Sequence, residues 1–104
     1  MKEDCSKIIE HYGVNHQQRK LAEEVFELQE AIVEMTMKMR EMEGKTPEIV
    51  EPTFETYRLH IAEELADVMV LLRQFQAHYN IDADQLGTIM YNKIQRTLKR
   101  MEKE

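Results

Sequence analysis

The sequence predicts an all-α fold: four helices forming a bundle that a second copy of the chain completes. Three observations carry this expectation. The 104 residues include only Gly 3 and Pro 2, with 33% charged and 42% hydrophobic residues and a Glu, Lys, Met and Leu bias, which favours helix over sheet. Apolar residues recur at steps of three and four, the spacing of helix faces rather than strands. Two segments are apolar on two faces, which is more than one partner helix covers. The length suits a single domain spanning residues 1–104.

The first helix is expected over about residues 3–12, carrying Ile8, Ile9 and Tyr12 and stopping at Gly13. Asn15 is the expected N-cap of a long second helix reaching about Glu43, where Gly44 offers a stop. At about 100° per residue, Leu21, Val25, Leu28, Ile32, Met35, Met39 and Met42 form one stripe, with Phe26, Val33 and Met37 on its flank. Residues 44–53, "GKTPEIVEPT", hold both prolines and read as a connector. A third helix is expected over about residues 54–79, ending at Asn80. Its main stripe is Tyr57, Ile61, Leu65, Val68, Leu72, Phe75 and Tyr79, while Leu59, Ala66, Val70 and Ala77 lie on the opposite side. Asp82 with Gln85 reads as a capping box for a fourth helix running to about Met101. That helix has an apolar stripe of Leu86, Met90, Ile94, Leu98 and Met101.

Composition excludes several functions. The single Cys5 rules out an intrachain disulfide and suits a buried or structural thiol. With no basic, apolar and small-residue leader near the N-terminus, a cytoplasmic location is expected. The longest uncharged apolar run, Val68 to Leu72, is too short to span a bilayer, so no membrane partner is expected. A net charge of −6 argues against broad contact with polymeric nucleic acid.

The acidic residues carry the chemistry. Glu24 and Glu27 are three apart, so they project from neighbouring positions at the edge of the second helix's apolar stripe. Glu64 falls inside the apolar arc of the third helix and Asp67 at its border. Glu64 is therefore expected to be buried, where an isolated carboxylate costs several kcal/mol. Four carboxylates converging from two antiparallel helices need a positive charge between them. Oxygen-only ligands favour Mg²⁺, or Mn²⁺, over zinc. Glu23, Glu30, Glu34 and Glu41 lie on the polar side and read as a solvated face. His60 stays outside the ligand set, and no histidine has an acidic residue three positions earlier, which argues against a ferritin-like di-iron site. Lys93, Arg96 and Arg100 share one face of the fourth helix, suited to the helix dipole or to a polyphosphate. His16, Gln17, Gln18 and Lys20 open the second helix, either as a hydrated helix start or as the lining of a nucleoside end.

"EEVFE", residues 23–27, followed by "EELAD", residues 63–67, resembles the Glu-Glu-x-x-Glu and Glu-x-x-Asp signature of the MazG-like, all-α nucleoside triphosphate pyrophosphohydrolases. The likeness covers roughly residues 15 to 100. It implies Mg²⁺ ligands at Glu24, Glu27, Glu64 and Asp67. "NKIQR", residues 92–96, resembles the family's late Asn/Lys/Arg element and implies phosphate contacts from Asn92, Lys93 and Arg96. The fold implied is a helical bundle whose site is completed across a homodimer, in some members a dimer of dimers. The 44–53 connector is longer than the family's, and the chain has no tryptophan where some deoxycytidine-directed relatives hold the base. The resemblance thus implies no base preference.

The reaction implied is hydrolysis of a (deoxy)nucleoside triphosphate between the α and β phosphates, with Glu24 or Glu27 drawing a proton from the attacking water. A phosphoribosyl-ATP pyrophosphohydrolase is the sister alternative. A non-enzymatic helical adaptor docking through its Met-rich seam is the alternative from another class.

Overall fold

A computed structural model describes residues 1–104 as four helices with no strand: α1 Lys2–Tyr12, α2 Val14–Glu41, α3 Pro47–His78 and α4 Ala83–Lys103. The all-α expectation holds. No helix is long and apolar enough to cross a membrane.

Local signals explain most helix ends. Gly13, at φ 88°, closes α1 through its N–H on the Ile9 carbonyl and opens α2 through its own carbonyl, which accepts from Gln17 N. The expected Asn15 cap is thus displaced to Gly13, because one glycine serves both ends and leaves no room for a loop. Helix α3 ends in a Schellman motif: Ile81 N–H donates to Gln76 O and Asn80 N–H to Ala77 O, with Asn80 at φ 52°. Asp82 caps α4 by accepting from Gln85 N–H at 3.0 Å, as its sequence predicts.

The connector does not extend over 44–53. Helix α3 starts at Pro47 and carries Pro52 inside it. Pro47 stands at the first helical position, where a missing N–H costs nothing, and Thr46 before it is extended at ψ 154°. Pro52 falls one and a half turns later, where its missing N–H frees only the Glu48 carbonyl. Two prolines here mark a helix start rather than a loop.

Helices α2 and α3 pack as a hairpin, and α1 lies mainly against α3. The buried residues are Cys5 and Ile9 of α1, Gln17 and Ala31 of α2, and Val68, Leu71 and Gln74 of α3. On α2 the covered face runs through Gln17, Leu21, Glu24, Leu28, Ala31 and Met35, rotated from the expected stripe so that Val25 and Ile32 are exposed. Ala31 explains the rotation: a methyl side chain, 1% exposed, lets α3 approach closely on that side. On α3 the covered face follows Tyr57, Ile61, Glu64, Val68 and Leu71, leaving Leu65, Leu72 and Tyr79 outside.

Helix α4 departs from the rest. No Cα of α4 comes within 8 Å of a Cα in another helix, and none of its residues is buried. The single chain is a three-helix body with a projecting fourth helix. Its radius of gyration is 18.1 Å, against about 13 Å for a compact domain of this length. Its accessible surface is 8429 Å², against roughly 6100 Å² for a compact monomer of its mass.

Candidate metal centre

The α2–α3 hairpin brings two acidic segments face to face. Glu24 is drawn to the interface because it lies on the same face as Ala31, two turns away, and Glu64 because it lies one turn before Val68. One oxygen from each of Glu24, Glu27 and Glu64 lies within 4.8 Å of the others. Glu24 is 12% exposed at its side chain, and its Oε1 accepts from Lys20 Nζ at 3.3 Å. Glu24 Oε2 and Glu64 Oε2 are both cut off from solvent with no hydrogen-bond partner. Leaving one such oxygen unsatisfied costs about 1–3 kcal/mol, and more when it is charged.

Electrostatics sharpen the picture. Glu27 is the exposed member, and its carboxyl is held above the ordinary 4.5, first by repulsion from Glu24, then by partial desolvation and by Glu64. Three carboxylates less the one Lys20 ammonium leave two negative charges unbalanced. The orphaned oxygens, the oxygen-only donors and this residual charge all fit a hard divalent cation, Mg²⁺ or Mn²⁺.

The remaining predicted residues are placed differently. Asp67 is exposed and outside the trio, yet it lines with Glu24 a cavity of about 450 Å³ between α1, α2 and α3. Lys20 also lines that cavity while paired to Glu24. Asn92, Lys93 and Arg96 share one shallow concavity on α4 with Gln95 and Lys99, away from the carboxylates of their own chain. His60 is exposed and takes no part.

Sequence reasoning named His16 and Gln17 as one reading of a nucleoside-end lining but missed Gln74, which completes the polar wall of the cavity. Gln17 and Gln74, each 3% exposed, bond to each other: Gln17 Nε2 donates to Gln74 Oε1 at 2.7 Å. Gln17 Oε1 faces His16 Nδ1 at 2.7 Å, and the Tyr12 ring stacks on His16 with centroids 5.2 Å apart. The available signal was positional, because Gln17 sits two turns before Glu24, and Gln74 three residues past Leu71, on the covered faces.

No protein-family model, no curated protein and no solved structure matches the chain.

Proposed function

We propose that the protein is a Mg²⁺-dependent nucleotide pyrophosphohydrolase of the cytoplasm, active with Mn²⁺ as well. It hydrolyses a (deoxy)nucleoside triphosphate to the monophosphate and pyrophosphate. The observation that carries this reading is the trio Glu24, Glu27 and Glu64, two of whose buried oxygens have no partner. The resemblance of the two acidic motifs to the MazG-like signature supports it.

Glu24, Glu27 and Glu64 would hold the cation, and Glu24 also lines, with Asp67, the adjoining cavity. When bound, the ion supplies charge screening on the phosphate oxygens and on the departing pyrophosphate. Glu27, the exposed member of the trio, would accept the proton of the attacking water as the α–β bridge breaks. The pair Lys20–Glu24 keeps a cation at the cavity, where it is available to a phosphate.

The active unit is a homodimer, open to further pairing of dimers. The excess surface of the chain, roughly 2300 Å² over a compact monomer, exceeds what one partner buries in a standard interface. It includes Ile94, Leu98 and Met101 on α4 and Val25, Ile32 and Leu65 on the hairpin. Covering these faces with a second copy lets Asn92, Lys93 and Arg96 of one chain reach phosphates held by the other.

The deciding experiment follows pyrophosphate release over ribo- and deoxyribonucleoside triphosphates and phosphoribosyl-ATP, with Mg²⁺ and with chelator. Mg²⁺-dependent release from nucleoside triphosphates is expected. Release from phosphoribosyl-ATP alone selects the sister activity. No release from any substrate, with no Mg²⁺ heat by calorimetry, leaves the adaptor.

A further inference from the structure

We propose that the cavity beside the carboxylates is a nucleobase pocket whose buried amide relay selects a keto base (thymine, uracil or guanine) over an amino base (cytosine or adenine). The proposal rests on the nucleotide reading above and adds what part of the nucleotide the far wall reads.

The cavity runs from Glu24 and Asp67 to Gln74 and holds about 450 Å³, within the range of small-molecule sites. A phosphate at the carboxylate end therefore leaves a nucleoside directed toward Gln74. Tyr12, stacked at 20° on His16, gives that end an aromatic wall against which a flat ring can lie.

Hydrogen-bond polarity settles which edge is read. A carboxamide oxygen accepts and never donates, so the 2.7 Å contact requires His16 Nδ1–H to donate to Gln17 Oε1. Gln17 Nε2 is then free to donate to Gln74 Oε1, as it does at 2.7 Å. The relay ends on Gln74 Nε2, which has no protein partner. Among polar side-chain atoms cut off from solvent, only Glu24 Oε2 and Glu64 Oε2 are orphaned, so Gln74 Nε2 opens on the cavity. Both glutamines are 3% exposed, and each is locked by its neighbour, so neither amide can flip alone. The pocket presents N–H donors. A carbonyl at O4 of thymine or uracil, or O6 of guanine, accepts from them. The exocyclic amine of cytosine or adenine meets donor with donor and leaves both unsatisfied, a loss of roughly tenfold to a hundredfold in affinity.

Calorimetric titration of the 104-residue chain in saturating Mg²⁺ with dTMP, dCMP, dGMP and dAMP tests this, with comparison made within each ring size. The expected result is dTMP tighter than dCMP, and dGMP tighter than dAMP, by roughly tenfold or more. Equal affinities or the reverse order overturn the proposal. Gln74→Glu keeps an oxygen for Gln17 and replaces the donor by an acceptor. It is expected to invert both orders, and an unchanged order overturns the relay. If that variant fails to fold, Tyr12→Ala at an exposed position is expected to weaken all four nucleotides by roughly tenfold while keeping their order. Unchanged affinities there overturn the pocket. The same panel of triphosphates with Mg²⁺ separates the two readings. Ranked binding without turnover removes the catalytic reading and keeps the pocket, whereas turnover without ranking removes the pocket and keeps the catalysis.

Discussion

The α2–α3 hairpin and α4 are written in the same amphipathic code, yet the hairpin buries Ala31, Val68 and Leu71 while α4 buries nothing. Their charges differ in sign as well. The hairpin gathers Glu24, Glu27 and Glu64 into one cluster, whereas α4 lines up Lys93, Arg96 and Lys99. An apolar stripe thus says that a face needs covering and leaves open what covers it. The hairpin finds its cover in the same chain because its loop, residues 42–46, is short. Helix α4 is turned away by the Schellman corner at Asn80 and has to find its cover elsewhere.

The contrast is broken most directly on the hairpin. Glu24→Ala or Glu64→Ala is expected to lower Mg²⁺-dependent pyrophosphate release by on the order of 1000-fold, with circular dichroism unchanged. Retained turnover in both would remove the trio from the chemistry. On α4, Leu98→Asp is expected to convert a dimeric sedimentation mass to a monomeric one and to cost roughly a hundredfold in activity, since a charge cannot be buried there unpaired. An unchanged dimer would show that this stripe faces water. Lys93→Ala and Arg96→Ala are expected to raise KM by about tenfold each with kcat little changed. A fall in kcat alone would instead place them at the reacting phosphorus.

The smallest effect concerns pH. Glu27 keeps its proton to higher pH in the folded protein than in the unfolded chain, because Glu24 and Glu64 repel its charge. Below the ordinary value of 4.5 both states are protonated and no penalty exists. As pH rises through the raised folded value, the metal-free protein loses this stability. The melting temperature of wild type minus that of Glu27→Gln should therefore fall with rising pH in chelator. Added Mg²⁺ should reverse the slope, because the ion binds the deprotonated cluster. A flat difference would mean that the three carboxylates do not interact.

Helix existence was legible because Gly13, Asn80 and Asp82 act within a few residues of their own position. The convergence of Glu24, Glu27 and Glu64 was legible too, since two three- and four-residue periods on adjacent helices determine it. The start of α3 was not. Proline breaks a helix interior and favours its first turn, and the sequence alone weighed Pro47 and Pro52 for the first effect. The rotation of α2 toward Ala31 was hidden because hydrophobicity ranks Val25 and Ile32 above alanine, whereas close packing prefers the small residue. Asp67 was expected among the ligands from its place at the border of the apolar arc and from the motif resemblance, and the hairpin's rotation leaves it at the rim. The Gln17–Gln74 bond was invisible, because an amide reads as surface until its partner, 57 residues away, is known.

A single residue, Gly13, joins α1 to α2. Tyr12 and His16 stand on either side of it, and the rod that begins there carries Gln17 and, two turns further on, Glu24. The joint therefore has almost no angular play, and its φ of 88° is one that few side chains tolerate. Splicing a second glycine into this elbow would loosen the aromatic wall relative to the acidic one. Fidelity toward the base should then decay sooner than the rate of bond cleavage.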